Sequence, residues 1–354
     1  MDSQDPQIAQ SRKDDHVHHA LQQQNKAIPS QFDQIRFIHQ SLNHVSFDQI
    51  DISTEWAHHR HSHPFYINGM TGGSRFTKQF NDKLAQVAAE TGLAMASGSV
   101  SAALKDPSVI DTFQIIRERN PKGFVMANIG AHHSLDNAKR AVDILRADAL
   151  QIHLNIPQEV VMPEGDRNYS MWEENIETIV NSVGVPVIIK EVGFGMSQET
   201  IQRLLQLGVE TIDVSGRGGT NFITIENERR DHLDFSAIAH WGQTTPESLL
   251  EAQNYIDKAT ILASGGIRNY MDIIKALALG ASATGISGLF LKKVNDDGID
   301  ATIQMVHDWT DSLKHLYLLL GVNTTSNLNK LPLILSSELL TYAQQRKLDL
   351  TKLQ

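Results

Sequence analysis

One segment, residues 151–169, concentrates side chains able to bind a polar ligand. It reads QIHLNIPQEVVMPEGDRNY. Five polar side chains within it lie close together: Gln151, His153, Asn155, Gln158 and Glu159. The first three alternate with apolar residues, which predicts a β-strand, and we expect this strand to end at Pro157 and a loop to follow. Polar groups at the end of a buried strand need partners, so the segment predicts a binding site, with a half-solvated edge strand as the alternative.

Other strand-like segments also end in groups suited to ligand binding. Lys190 ends an apolar run, where a charge needs a partner. Gly265-Gly266 and Ser287-Gly288 end two further runs, and Arg268 follows closely. Free backbone amides at such strand ends bind anions, phosphate above all. A phosphorylated cofactor accounts for both features, although each Gly motif taken alone is more typical of a tight turn.

The N-terminal region contains a basic pair, Arg12-Lys13, with His16 three residues later. Arg and Lys bind phosphates well, so the pair is a candidate hook for one; a solvated helix start is the alternative. A helix is expected from residue 16 to 25. The histidines of residues 58–63 lack a matched set of carboxylates or cysteines, and we do not expect a metal site there.

These groups need a frame, and the hydrophobic pattern supplies one. Eight short apolar segments alternate with helical patterns; they span residues 64–70, 93–97, 123–130, 149–155, 185–193, 209–219, 259–266 and 281–288. Such alternation predicts a parallel sheet covered by helices, and eight repeats predict a (β/α)8 TIM barrel with an N-terminal extension and C-terminal helices. An open doubly wound sheet is the alternative, but no GxGxxG follows the first strand.

The domain boundaries follow from this pattern. Residues 1–64 form the predicted extension with the hook, 65–322 the barrel, and 323–354 a C-terminal helical extension. Residues 217–258 are long for one connection, and long connections are often functional loops. In a TIM barrel the carboxyl ends of the strands form the active face, so the groups named above should meet there.

Composition excludes several classes. The chain has 354 residues, 41% of them hydrophobic and 20% charged, which is typical of a globular protein. A net charge of −10 argues against a nucleic-acid partner, and no apolar run approaches the roughly 20 residues of a membrane span. The absence of cysteine excludes disulfides and thiolate chemistry. We expect a cytoplasmic protein without a signal peptide.

The chain resembles the type 2 isopentenyl-diphosphate isomerases, which are FMN-dependent (β/α)8 barrels. The resemblance rests on Arg12-Lys13-x-x-His16, on IDIST at residues 50–54, on NGMTGG from Asn68, on HLNxxQE from His153 and on PEGDR from Pro163. KEVGFGMS from Lys190 and GGTNF from Gly218 add to it. It covers nearly the whole chain.

The resemblance implies roles for individual residues. The implied FMN contacts are Met70, Thr71, Gly72, Ser99, Asn128, Lys190, Ser215, Thr220, Gly265, Gly266, Arg268, Ser287 and Gly288. The implied contacts to the substrate, isopentenyl diphosphate, are Arg12, Lys13, His16, Ser99, His153, Asn155 and Gln158. Gln158, His153 and Lys190 would be the catalytic residues, Gln158 at the allylic end, and Glu159 would bind Mg²⁺ together with diphosphate oxygens. Trp241 is a candidate for the carbocation-like end or, as readily, a core residue.

The implied reaction moves a double bond, giving dimethylallyl diphosphate. The substrate carbons are not acidic, and in this family reduced FMN is thought to be the acid and base, with NADPH or NADH as reductant. A tetramer or octamer is also implied. The sequence departs from the family at Ser101, where many members carry Arg in GSxRAAL, so one charge that would face the diphosphate is missing or comes from elsewhere.

Two other classes of protein share part of these features. An FMN-dependent α-hydroxy-acid oxidase would share the barrel and the SGGIR stretch at residues 264–268, but it needs a His base where this chain has Ser215-Gly216-Arg217. A non-catalytic flavoprotein would have no use for Gln158 and Glu159 beside the cofactor.

Overall fold

The computed structural model describes residues 6–24 and 30–353, with the side chains of 6–12 and 352 outside the description. Twelve strands lie in the described ranges: β1 Ile35–Phe37, β2 Thr54–Trp56, β3 His59–His61, β4 Phe65–Ile67, β5 Met95–Ala96, β6 Val125–Gly130, β7 Ala149–Leu154, β8 Val187–Glu191, β9 Thr211–Asp213, β10 Thr260–Ser264, β11 Ala283–Ile286 and β12 Leu333–Leu335. Strands β4 to β11 pair in parallel and close into a barrel in chain order. The predicted (β/α)8 barrel is confirmed.

Helices cover the outside of this barrel. The α-helices of the described residues are α1 Pro6–Gln24, α2 Arg75–Thr91, α3 Ser101–Lys105, α4 Asp111–Arg119, α5 Leu135–Leu145, α6 Ile156–Val161, α7 Trp172–Ser182, α8 Gln198–Gln206, α9 Phe222–Glu228, α10 Thr245–Glu251, α11 Tyr270–Ala278, α12 Gly288–Asp296, α13 Gly298–Leu320 and α14 Ser337–Arg346. Several of these helices are preceded by a capping side chain. Ser74 caps α2, because its side-chain oxygen accepts a hydrogen bond from the Thr77 backbone amide. None is long and apolar enough to cross a membrane.

The barrel interior has an apolar half and a polar half. Toward the amino ends of the strands, the buried side chains are Tyr66, Ala96, Met126, Ala149, Ile188, Leu262 and Ala283. The hairpin β2–β3 covers this end, with Trp56 packed against Tyr66 and Phe124. Toward the carboxyl ends, buried polar side chains take over: Asn68, Asn128, Gln151, Lys190, Asp213 and Ser264. Because burying a polar group is costly without a partner, this second half marks where a site is built.

The terminal segments are tied to the barrel and to each other. Strand β1 pairs antiparallel with β12, so the segments before and after the barrel share a small sheet. Helix α14 is held by Arg346, whose guanidinium donates to buried Glu251 and to Glu199. The segment after residue 322 thus contains a strand as well as the expected helix.

Two local expectations differ from the structure. Pro157 does not begin a loop, since it is the second residue of helix α6; proline fits a first helical turn, where its missing N–H has no partner to lose. Helix α1 begins at Pro6 and not at residue 16. The long connection after β9 also contains helices α9 and α10.

Candidate functional site

A cavity of about 560 Å³ opens at the carboxyl ends of the barrel strands. The predicted site residues that line it are Lys13, His16, Met70, Ser99, Asn128, His153, Asn155, Gln158, Glu159, Lys190, Ser215, Thr220, Gly265, Gly266, Arg268, Ser287 and Gly288. They come from α1, α6 and the ends of the eight barrel strands or the loops that follow them. The fold therefore brings the two predicted groups, for cofactor and for substrate, to one cavity.

Two predicted site residues in the described part of the chain, Thr71 and Gly72, are not among its lining. Thr71 is buried behind the wall, where its hydroxyl donates to the side-chain oxygen of Asn81. Gly72 has a φ of +132°, and a Cβ there would overlap the ring of Phe113, so only glycine fits. The side chain of Arg12 lies outside the described residues.

The floor of the cavity is a chain of hydrogen-bonded side chains, which we call the amide chain: His153, Asn128, Gln151, Asn68 and Asp213. Consecutive members are linked at 2.8, 3.1, 3.1 and 3.2 Å. At its end, the Asp213 carboxylate also accepts from Tyr66 and Ser264 hydroxyls and from the Ser215 amide. The amide chain crosses the polar half of the barrel, and its members are buried but hydrogen-bonded to one another.

Lys190 and Glu191 end strand β8 beside this chain. Burial lowers the pKa of Lys190, while the Asp213 and Glu191 charges oppose that shift. Its ammonium donates to the Glu191 carbonyl at 2.6 Å. Burial raises the pKa of Glu191 to about 8, although its carboxylate accepts from the amides of Val192, Gly193 and Phe194. A lysine of lowered pKa in a cavity wall is suited to face developing or fixed negative charge.

A glycine-rich cradle forms the wall at the ends of β9, β10 and β11. Gly265 has a φ of +93°, and a Cβ there would overlap the Gly216 carbonyl. A Cβ at Gly218 or at Gly219 would lie 3.2 Å from a backbone atom of Gly266, a tight contact. Helix α12 begins at Gly288 beside them. Backbone amides and a helix N-terminus facing a cavity form an anion site, and this cradle fits the phosphate of FMN.

Arg268 lines the cavity, but its charge is already balanced. The guanidinium donates to Asp272 at 2.9 Å and to Asp33 at 2.8 Å, and these two hydrogen bonds raise the pKa of Arg268. Its remaining exposure to the cavity leaves it able to support a phosphate, with less net charge than the sequence suggested.

Helix α6 presents Gln158 and Glu159, both almost fully buried. The two oxygens of Glu159 accept from the Asn155 amide group at 2.9 Å and from the Asp166 backbone amide at 2.7 Å. No group of three His, Asp or Glu side chains in the described ranges is arranged to hold a metal by itself. A cation at Glu159 would therefore need most of its ligands from a bound molecule or water.

Gln158 belongs to a second buried set, the three-helix cluster: His16 of α1, Gln158 of α6, Glu226 of α9, Arg229 and Glu164. One oxygen of Glu226 lies 2.8 Å from both His16 Nε2 and Gln158 Nε2, and the other accepts from Arg229. Arg229 also pairs with Glu164 at 2.9 Å. Burial raises the pKa of Glu226, but the bonds and charges of His16 and Arg229 outweigh it and bring it to about 2.

Sequence reasoning missed Glu226 and one aromatic wall residue, Phe222. Both lie in helix α9 within the long connection, where no periodic pattern singles them out. Phe222 lines the cavity and contacts the His16 ring at a centroid distance of 5.7 Å. Trp241, by contrast, is 60% exposed and is not among the cavity lining.

Ser101, the position that departs from the family pattern, is part of a short relay. Its hydroxyl lies 2.7 Å from His133 Nε2 and 2.8 Å from the Ser99 hydroxyl. Burial lowers the pKa of His133 to about 3, so the imidazole is neutral at pH 7. Lys105, four residues after Ser101 on α3, lines the same cavity and returns a positive charge to this wall.

Comparison of the chain with known proteins identifies related sequences. The FMN-dependent dehydrogenase family matches residues 109–334. An isopentenyl-diphosphate delta-isomerase of Staphylococcus epidermidis is 48% identical over 97% of this chain and 98% of its own length. One of Latilactobacillus sakei is 51% identical, again over 97% and 98%.

Solved structures add a likeness of fold. A mandelate oxidase variant with 2-hydroxy-phenylacetamide superposes with a TM-score of 0.62 at 17% identity, covering 92% of this chain and 91% of that one. A flavocytochrome b2 variant with benzoylformate gives 0.60 at 20%, covering 91% and 78%. At such low identity these two structures speak for the barrel alone.

Proposed function

Because this chain belongs to the isopentenyl-diphosphate delta-isomerase family and matches the FMN-dependent dehydrogenase family, we propose that it is an FMN-dependent, type 2 isomerase that interconverts isopentenyl and dimethylallyl diphosphate. One observation carries the proposal. The glycine cradle and the side chains of α1 and α6 line the same cavity, so a phosphorylated cofactor and a phosphorylated substrate have adjoining sites.

The cradle of Gly265, Gly266 and Gly288 would hold the phosphate of FMN, and side chains of the amide chain that line the same cavity would border the rest of the cofactor. Lys190 would face the ring, held by its bond to the Glu191 carbonyl. Met70, Ser99, Asn128, Ser215, Thr220, Arg268 and Ser287 supply the remaining proposed contacts, with Thr71 and Gly72 supporting them from behind. When reduced, by NADPH in this proposal, FMN supplies the proton donor and acceptor that the hydrocarbon end of the substrate requires.

The diphosphate would be held by Lys13, His16, His153 and Asn155, with Arg12 joining from the same helix. Glu159 would hold Mg²⁺ together with the bound diphosphate, since this hard cation prefers oxygen ligands. Ser99 and Lys105 line the same cavity, and Lys105 would supply the positive charge that the missing arginine at position 101 leaves out.

Gln158 and Phe222 would border the allylic end. The bond from Gln158 Nε2 to Glu226 fixes the amide, so its oxygen is directed away from Glu226. Phe222 offers an aromatic face to a carbon centre that becomes electron-poor in the reaction. The protein itself would thus orient the substrate and exclude water. His153 and Lys190 would supply the polar groups around the bound substrate.

An α-hydroxy-acid oxidase is the second candidate function, since a mandelate oxidase has the same barrel fold. Ser215-Gly216-Arg217 provides no imidazole where that reaction takes its base. The protein is further proposed to act in the cytoplasm as a homo-oligomer, a tetramer or octamer.

The test is direct. The purified protein should be yellow, release FMN and not FAD on denaturation, and bleach with NADPH without oxygen. The reduced protein should then convert isopentenyl diphosphate to dimethylallyl diphosphate in the presence of Mg²⁺. A colourless protein, stoichiometric FAD, or a reduced protein that oxidises lactate or mandelate and leaves isopentenyl diphosphate unchanged would refute the proposal.

A further inference from the structure

The amide chain has a direction, because its two ends permit only one arrangement of donors. Asp213 is acceptor-only as a carboxylate, so Asn68 must turn its NH₂ group toward it. The Gly69 backbone amide, a donor only, lies 2.9 Å from the Asn68 side-chain oxygen and fixes the same orientation independently. The oxygen of Asn68 is therefore an acceptor for its next neighbour.

Each amide then passes this orientation on. Gln151 must donate through Nε2 to the Asn68 oxygen, at 3.1 Å, and accept through Oε1. Asn128 must donate through Nδ2 to that Oε1, also at 3.1 Å. Gln151 has no exposure and Asn128 only 6%, so bulk water does not offer an alternative partner.

The last link determines a histidine. The Asn128 oxygen faces His153 Nδ1 at 2.8 Å and can only accept, so Nδ1 must carry the proton. We propose that Asp213 is a positioning residue that fixes His153, through three amides, as the tautomer protonated on Nδ1, so that Nε2 enters the cavity as a proton acceptor. Strand β9 thus controls a side chain of β7 that it does not touch.

The surroundings keep this imidazole neutral. Burial lowers the pKa of His153, and the charges of Lys190 on β8 and Lys13 on α1 act in the same direction, as His132 and His133 after β6 do when they are protonated. A neutral ring with a bare Nε2 cannot donate to an ionised phosphate. A diphosphate that binds against it must therefore bring a proton, which ends on Nε2 or on the phosphate oxygen.

Nuclear magnetic resonance reads the tautomer without any substrate. In the FMN-loaded protein labelled with ¹⁵N-histidine, the His153 signals are identified by their loss in His153→Gln. We expect the two-bond ¹H–¹⁵N pattern of a ring protonated on Nδ1. Gln151→Met interrupts the amide chain with little change of side-chain volume, so Asn128 becomes free to rotate. The His153 ring should then be a mixture of tautomers or the Nε2–H form.

A rescue variant separates this role from simple packing. In the double variant Asn128→Asp/Gln151→Met, the side chain of residue 128 can only accept hydrogen bonds, so its orientation no longer depends on the amide chain. The Nδ1–H form of His153 should therefore return. The inference is overturned by an Nε2–H ring in the unmodified protein or by an unchanged ring in Gln151→Met.

A second measurement uses only the unmodified protein and His153→Gln, in case Gln151→Met does not fold. Titration calorimetry of Mg²⁺-pyrophosphate at pH 8, in buffers of different ionisation enthalpy, should show uptake of about one proton, lost in His153→Gln. Equal uptake in both proteins, or none in either, contradicts the inference. This step alone rests on the proposed function; pyrophosphate that does not bind would count against that function, and the resonance spectrum would still decide the tautomer.

Discussion

The amide chain and the three-helix cluster border one cavity but are constructed in opposite ways. The amide chain crosses the barrel from β6 and β7 to Asn68 after β4 and on to Asp213 of β9; its other members are neutral, and one carboxylate stands at its end. The three-helix cluster joins His16 and Glu226, which are 210 positions apart, and relies on charged pairs. The first is set by the barrel's hydrogen-bond register, whereas the second exists only when α1, α6 and α9 pack together. The comparison predicts that the first governs folding stability and the second governs substrate binding and responds to pH.

Removing the end of the amide chain should give the largest effect. Asp213→Ala leaves the Tyr66 and Ser264 hydroxyls, the Asn68 amide and a backbone N–H without an acceptor in a buried site. We expect the free energy of unfolding to fall by about 4 kcal/mol, measured by urea denaturation.

Ser264→Ala is the matched control, since it removes one donor and leaves the carboxylate. It should cost only about 1 kcal/mol. Equal losses in the two variants would show that Asp213 matters no more than any single bond around it.

The amide chain was largely predictable from the sequence. Strand alternation identified Gln151 and His153, the expected end of a strand identified Lys190, and the family resemblance supplied Asn128. Alternation works because a one-residue slip would turn every polar side chain of the strand out of the barrel. Asp213 was missed as a site residue, because one acid within a predicted strand carries no signal of the four donors that meet it.

The three-helix cluster was predictable only in part. His16 and Gln158 came from a family resemblance, and Glu226 did not come at all. Its position depends on how the connection after β9 folds back on α1, a tertiary contact that no local pattern encodes. The loop expected after Pro157 was wrong for a related reason: proline stops a strand but also starts a helix, and packing decided between the two.

The second prediction concerns Glu159 on α6, the residue proposed to hold Mg²⁺. Glu159→Gln keeps the shape, and Asn155, whose side-chain oxygen has no partner, can rotate to accept from the new amide. If Glu159 holds Mg²⁺, kcat/KM should fall about 10²-fold, close to 3 kcal/mol, with an unchanged flavin spectrum and weak rescue by added Mg²⁺. Superimposable Mg²⁺ titrations of isomerase activity for the two proteins would remove Glu159 from the site.

The third prediction concerns Lys13 of α1, whose side chain lines the cavity. Lys13→Met keeps the aliphatic stem and removes the charge, so KM for isopentenyl diphosphate should rise about tenfold while kcat and FMN content stay the same. Lys78→Met is the control, since Lys78 pairs with Asp111 on the barrel exterior and should leave KM unaltered. Equal KM values in both variants would make the predicted hook a solvated part of α1.

The smallest effect separates the two clusters by pH. Neutral amides do not titrate, but Glu226 has a pKa of about 2 in place of its usual 4.5. A depressed carboxyl pKa stabilises the fold fully above about pH 4.5, and this contribution is lost as pH falls toward 2. Between pH 5 and pH 4, the unmodified protein should therefore lose about 0.7 kcal/mol of stability relative to Glu226→Gln. Urea denaturation of both proteins at the two pH values gives this difference. The same comparison with Gln151→Met should show no such pH dependence, because the bond it removes is neutral at both values. A pH-independent gap for Glu226→Gln would mean that its carboxylate contributes no more through charge than the amides of the barrel floor do.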